Sequence, residues 1–224
     1  MARIAPSILS ADFAALGAAI DEVAPEADLL HVDVMDGHFV PNLSIGPPVV
    51  RAIRRHTDLY LDCHLMMTNP GEYLEAFQAA GANGCTVHVE IGGTEDLIGH
   101  GRALGLDVGL AANPSTPFAA VAPYLDRIDL LLLMTVVPGF GGQRFMAEVL
   151  PKVREARAEI DRQGLPVAIE VDGGIDCDTG PLAAEAGAGI FVAGSSIFGQ
   201  PSPRQAAAGL RAAVDGSAAR ARTG

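Results

Sequence analysis

The sequence predicts an α/β fold, a single (β/α)8 TIM barrel. Eight short apolar runs, several rich in β-branched residues, recur at intervals of roughly 20 to 40 residues. The intervals carry helical patterns and leave room for one helix each time. Several runs are apolar almost throughout, as strands of a parallel sheet covered on both faces are. At 224 residues the chain has the size of one such domain.

The expected strands are RIAPSIL (3–9), DLLHVDV (28–34), DLYLDCHL (58–65), CTVHVE (85–90), LDVGLAA (106–112), DLLLLMTV (129–136), PVAIEVD (166–172) and GIFVAG (189–194). EYLEAFQAAGA reads as a helix ending near its last glycine. FMAEVLPKVREARAEIDRQG reads as a longer one, with Pro151 as a kink or boundary. A last helix is expected over 202–214. The barrel then occupies 1–216 and a frayed tail 217–224. An open doubly wound sheet is the alternative, but no GxGxxG follows the first strand.

Composition narrows the function. The net charge is −12, which argues against nucleic acid and anionic membranes as partners. The longest strongly apolar stretch, LLLLMTVV, is far too short to span a bilayer. The N-terminal residues carry no signal-peptide pattern, and three cysteines at unpatterned spacing suit a reduced, cytoplasmic protein.

Chemistry in such a barrel sits at the C-terminal ends of the strands. Those ends carry Ser10, then His31, Asp33 and Met35, then His64 and Met66, then His88 and Glu90. Met134 leads into PGFGG, and Asp172-Gly173-Gly174 and Gly194-Ser195 follow. His31 and Asp33 lie two apart in one strand and so share a face. Two histidines and two aspartates at one end converge on a divalent metal: Zn²⁺, Fe²⁺, Mn²⁺ or Co²⁺ by donor type. His88 and Glu90 read as supporting or core hydrogen-bonding groups. His38, His56 and His100 read as surface residues.

Gly139-Phe140-Gly141-Gly142, Gly173-Gly174 and Gly194-Ser195 follow strands six, seven and eight, and each can precede a helix. Bare N–H groups in such loops bind a phosphate dianion. The single lysine, Lys152, lies inside a helical pattern, and Arg144 reads as a solvated helix residue. Met35, Met66 and Met134 can line a dry wall around a substrate.

SILSADF, HVDVMDGHFVPN, HLMMTNP, MTVVPGFGGQRF, VDGGI and AGSSIF occur in that order from residue 7 to 198. Together they closely resemble the motifs of the ribulose-phosphate 3-epimerases. The resemblance implies a ribulose-phosphate-binding barrel that interconverts D-ribulose 5-phosphate and D-xylulose 5-phosphate with one divalent metal ion. It implies His31, Asp33, His64 and Asp172 as metal ligands, and Asp33 and Asp172 as the acid/base pair. It further implies Ser10, His64, Met35, Met66, Met134, Gly139, Phe140, Gly141, Gly142, Asp172, Gly173, Gly174, Gly194 and Ser195 as substrate contacts. A homo-oligomer, dimeric or hexameric, is implied as well. Val137 departs from the family, which usually has a polar or charged residue there.

Two aspartates on opposite faces of a bound sugar can remove and return the carbon 3 proton through an enediolate. A sister reading is an epimerase of allulose 6-phosphate. Barrel decarboxylases and synthases use an Asp-x-Lys arrangement after strand three, where this chain reads DCHLMM and has no lysine. A non-catalytic sugar-phosphate-binding barrel has no need of two opposed bases.

Overall fold

The computed structural model describes residues 2–221. Eight strands form one parallel sheet: β1 (Arg3–Pro6), β2 (Leu29–Met35), β3 (Tyr60–Met66), β4 (Gly84–His88), β5 (Asp107–Ala112), β6 (Leu130–Met134), β7 (Ala168–Asp172) and β8 (Ile190–Ala193). Neighbours in sequence are neighbours in space, and β1 also pairs with β8. A parallel bridge between Ser7 and His31 joins β1 to β2 and closes the barrel.

The helices are α1 (Leu16–Val23), α2 (Pro47–Arg54), α3 (Leu74–Ala80), α4 (Thr94–Ala103), α5 (Leu150–Gln163), α6 (Thr179–Ala186), the single turn α7 (Ser195–Phe198) and α8 (Pro203–Ala221). Gly81 ends α3 in the left-handed conformation with φ 99°, as its position after the apolar pattern predicts. Pro151 marks the boundary at which α5 begins and is not a kink. It sits in the first turn of α5, where its missing N–H costs nothing.

The structure corrects three expectations. Between β5 and β6 no α-helix forms; two 3-10 segments, Phe118–Ala120 and Ala122–Arg127, bridge the gap. Pro114, Pro117 and Pro123 fall in this stretch, each removing an N–H and disfavouring helix in the residue before it. The last helix runs to Ala221 rather than ending near 214. Ser217 belongs to it and is fully buried, its hydroxyl donating to Glu185 Oε1 at 2.7 Å. The rest of the expected tail, 222–224, lies outside the described residues. Arg144 stands in an irregular segment between β6 and α5, not on a helix.

Alternation along each strand divides the interior in two. Outward residues such as Leu30, Val32, Leu61, Cys63 and Leu65 pack with Ile20, Ile53, Phe77 and Ile160 of the helices into the main core. Inward residues fill the barrel: Ala5, Leu29, Ile190 and Val192 form one cluster, and Ala111, Leu132 and Met134 another on one wall. This two-layer burial, at about 1.5–3 kcal/mol for each large apolar side chain, holds the strand ends in place. The three cysteines are free. No helix among the described residues is long and apolar enough to cross a membrane.

Gly109 on β5 tests how tightly the interior is packed. A Cβ added there would stand 2.9 Å from Thr86 Cβ and 3.0 Å from Leu130 Cδ2. Gly109→Ala should therefore destabilise the fold by about 1–3 kcal/mol, the usual cost of overpacking. Urea unfolding should show a lower midpoint with an unchanged m-value. An unshifted midpoint would mean a looser barrel interior.

Candidate active site

Parallel register sets the site. His31, Asp33 and Met35 of β2 stand opposite Asp62, His64 and Met66 of β3, all pointing inward. On β7, Glu170 and Asp172 share the inward parity and pair with Leu132 and Met134 of β6. One potential ligand atom from each of His31, Asp33, His64 and Asp172 lies within 4.8 Å of the others. The four residues read from the strand ends are thus brought together.

The local bonds leave that cluster with the right atoms free. His31 Nδ1 lies 2.9 Å from Asp62 Oδ2 and 3.3 Å from Glu170 Oε1. Its Nε2 faces Asp33 Oδ1 at 3.4 Å and Asp172 Oδ2 at 4.0 Å, yet completes no hydrogen bond. His64 Nδ1 faces the same oxygens at 3.2 and 3.9 Å. Asp33 Oδ2 accepts from the Ser7 hydroxyl at 2.6 Å, which fixes the carboxylate plane. Buried polar atoms are seldom left unpaired. A fully buried imidazole nitrogen without a partner, aimed between two carboxylates and a second imidazole, fits a divalent cation. The N/O donor set suits Zn²⁺, Fe²⁺, Mn²⁺ or Co²⁺.

The electrostatics agree. Four carboxyl groups surround His31 inside the barrel. Burial, then the neighbouring Asp33 charge, pushes Asp172 up to about 7. Burial, then Asp62, pushes Glu170 up to about 8. Burial also opposes the charge of Asp33, but His31 and His64 hold its carboxyl well below the usual range. Against its own burial, the surrounding carboxyl groups keep His31 protonated well above its ordinary value. Burial brings His64 down to about 4. The metal-free centre is thus short of positive charge, which a dication supplies.

Above the cluster opens a pocket at the C-terminal ends of the strands. Ser10, Met35, Met66, Met134, Gly139, Phe140, Gly141, Gly142, Gly173, Gly174, Gly194 and Ser195 all line it, with Asp33 and Asp172 at the bottom. His31 and His64 are wholly buried beneath. Gly173 and Gly174 have φ of 121° and 65°. A Cβ on Gly174 would strike the Phe145 backbone nitrogen at 2.5 Å, so both conformation and space demand glycine there. Of the glycine stretches only Gly194-Ser195 directly starts a helix; the other two lead into irregular segments. Arg144 lines an adjoining cleft with Gly142, Gly174 and Ser195. Val137 is an exposed rim residue.

Sequence reasoning missed Ser7, Asp62 and Glu170. Asp62 and Glu170 lie two positions before His64 and Asp172 and share their inward parity, and that spacing was the available signal; Ser7 carried none. His88, read as a supporting hydrogen bonder, places its Nε2 at 2.8 Å from His64 Nε2.

These shifts fix the sign of a stability change. In metal-free protein Glu170, Asp172 and His31 hold protons that the unfolded chain gives up at lower pH. Each contributes stability that is lost as pH rises towards its folded pKa. Chelator-treated protein should lose stability progressively from about pH 4 to 8, by at most about 1.4 kcal/mol per pH unit for each group. Glu170→Gln should flatten that slope. Urea melts across the window check this, and a slope of opposite sign contradicts the assignment.

A model of the Ribulose-phosphate 3 epimerase family matches residues 3–198. The chain is 49% identical over 222 residues to the cytoplasmic isoform of ribulose-phosphate 3-epimerase from Oryza sativa subsp. japonica, covering 96% of each protein. It is 48% identical to ribulose-phosphate 3-epimerase from Bacillus subtilis, covering 94% of this chain and 99% of that one. In fold it is similar to KGPDC from Streptococcus mutans, with a TM-score of 0.71 at 15% identity, covering 96% of this chain and 98% of that one. It is also similar in fold to 3-hexulose-6-phosphate synthase from Salmonella typhimurium, with a TM-score of 0.72 at 16% identity, covering 96% and 99%. The matched span takes in every strand end described above, and on these grounds the chain belongs to the ribulose-phosphate 3-epimerase family.

Proposed function

We propose that this protein is a metal-dependent epimerase that interconverts D-ribulose 5-phosphate and D-xylulose 5-phosphate. The observation that carries this reading is the convergence of Asp33 and Asp172 with His31 and His64 at the floor of a glycine-rimmed pocket. The names of the relatives support the substrate.

Inversion at carbon 3 breaks its C–H bond, sends the electron pair to the ketone oxygen as an enediolate, and returns a proton to the other face. Asp33 and Asp172 come from strands separated by β1 and β8, so their carboxyl groups reach the sugar from different sides. One takes the proton and the other delivers one, with roles exchanged in the reverse direction. Ser7 holds Asp33 in orientation through its 2.6 Å bond. His31, Asp33, His64 and Asp172 would hold a divalent ion, which would supply Lewis-acid charge to offset the negative oxygen. Met35, Met66 and Met134 keep water from the reacting carbon. The loops at Gly139–Gly142, Gly173-Gly174 and Gly194-Ser195 take the phosphate through backbone N–H groups, and Ser10 contacts the bound substrate. Lys152 is not available for this, because its Nζ donates to the carbonyls of Asn113, Pro114 and Thr116 at 2.6, 3.0 and 2.7 Å.

Asp33→Asn and Asp172→Asn should each lower turnover at least about 10²-fold while leaving the circular dichroism spectrum intact. Near-normal turnover in either variant removes that residue from the acid/base role. In heavy water, proton NMR should show xylulose 5-phosphate carrying deuterium at carbon 3, lost on chelation and restored by one of Zn²⁺, Fe²⁺, Mn²⁺ or Co²⁺. Exchange with allulose 6-phosphate alone would move the assignment to the six-carbon ketose.

A further inference from the structure

The His64 ring faces two ways. Its Nδ1 looks into the four-residue cluster, and its Nε2 lies 2.8 Å from Nε2 of His88. Both rings are fully buried and stack with centroids 5.0 Å apart. Two imidazole nitrogens at hydrogen-bond distance need one proton between them: one N–H and one lone pair. Which ring supplies the proton is decided on the far side of His88.

There, His88 Nδ1 lies 3.0 Å from Glu90 Oε2. The other Glu90 oxygen accepts from the Asn113 N–H at 2.7 Å and from the Thr116 hydroxyl. Burial opposes the charge, but these three donors hold the Glu90 carboxyl down at about 2. The loop that presents two of them is anchored by Lys152 through the carbonyls of Asn113, Pro114 and Thr116. An ionised carboxylate only accepts, so His88 Nδ1 carries a proton. With that proton on Nδ1, His88 turns its Nε2 lone pair to His64, whose Nε2–H donates to it at 2.8 Å. The remaining His64 nitrogen, Nδ1, is left as a lone pair directed into the cluster. Asp33 Oδ1, at 3.2 Å from His64 Nδ1, competes for a proton there. A lone His64 proton on Nδ1 would leave two Nε2 lone pairs facing each other at 2.8 Å across the ring pair.

We propose that Glu90 is a positioning residue: through His88 it fixes His64 in the Nε2–H tautomer and so presents the Nδ1 lone pair to a divalent cation. This rests on the metal-site reading above. Glu90 touches neither the cluster nor the pocket, so its effect is transmitted through two hydrogen bonds. Supporting partners of this kind, which set the tautomer of a ligating histidine, typically change metal affinity 10–100-fold.

Glu90→Gln makes the test sharp because it keeps the shape. The amide oxygen retains the bonds from Asn113 and Thr116, and the amide N–H2 then faces His88 Nδ1 and donates to it. Every proton along the chain reverses, and His64 Nδ1 becomes an N–H. Long-range proton–nitrogen NMR on 15N-labelled, metal-free protein at neutral pH reads this directly. Wild type should show His88 protonated at Nδ1 and His64 at Nε2; Glu90→Gln should show both reversed. Zn²⁺ affinity, measured by competition with a chelator, should fall about 10–100-fold in the variant. Wild-type His64 protonated at Nδ1, or His88 protonated on both nitrogens, overturns the proposal without any variant. So do tautomers unchanged in Glu90→Gln, or reversed tautomers with unchanged Zn²⁺ affinity. Wild-type protein that binds no Zn²⁺, Fe²⁺, Mn²⁺ or Co²⁺ at all, with the expected tautomers, defeats the metal-site reading instead, and the role of Glu90 falls with it.

Discussion

Charge compensation inside a closed sheet governs this protein. Asp33, Asp62, Glu170 and Asp172 all lie within 4.0 Å of His31, in an interior that removes most of their hydration. Such a group of acids is stable only when protons or a cation balance it. The raised pKa values of Glu170 and Asp172 are the protein's answer in the absence of metal. The orphaned nitrogen of His31 points to the other answer. The surrounding architecture can be read as the means of holding that imbalance in place: helices outside, apolar walls inside, and a hydroxyl on Asp33.

The imbalance is possible because parallel strands in register leave no freedom in where a residue points. A shift of one position in β2 would send His31 and Asp33 into the helical layer and bring Leu30 and Val32 into the barrel. The apolar outward set therefore guarantees the polar inward one. Fold stability and site geometry are specified by the same alternation, which is why Leu30 and Val32 matter to chemistry they never touch.

Much of this was legible in the sequence, because the signals were local. Each strand was a compact apolar run, and the polar residues at its end stood out against it. All of the residues singled out at the strand ends as metal, acid/base or substrate groups fall on the pocket or its floor. What escaped depended on context. Pro114, Pro117 and Pro123 abolish a helix that spacing alone required. Ser217 is buried by α6, which no pattern in 217–224 announces. Asp62 and Glu170 sit mid-strand, one layer below the ends, where a polar residue reads as a flaw in an apolar run until both neighbours of His31 are known.

The closure of the barrel has a mechanical side. Seven of the eight junctions are ladders of several paired residues, whereas the β1–β2 junction has the single Ser7–His31 bridge, the Asp28 N–H to Ile4 carbonyl bond at 3.0 Å, and side-chain bonds from Ile4 N–H to Asp28 Oδ2 and from Ser7 Oγ to Asp33 Oδ2. That junction is a seam. His31 and Asp33 lie on one side of it, and Asp172, reached through β1 and β8, lies on the other. Anything gripped by all three acts as a rivet across the least-stitched join in the sheet. The centre proposed for the chemistry is, by its placement, also a fastener of the shell that contains it.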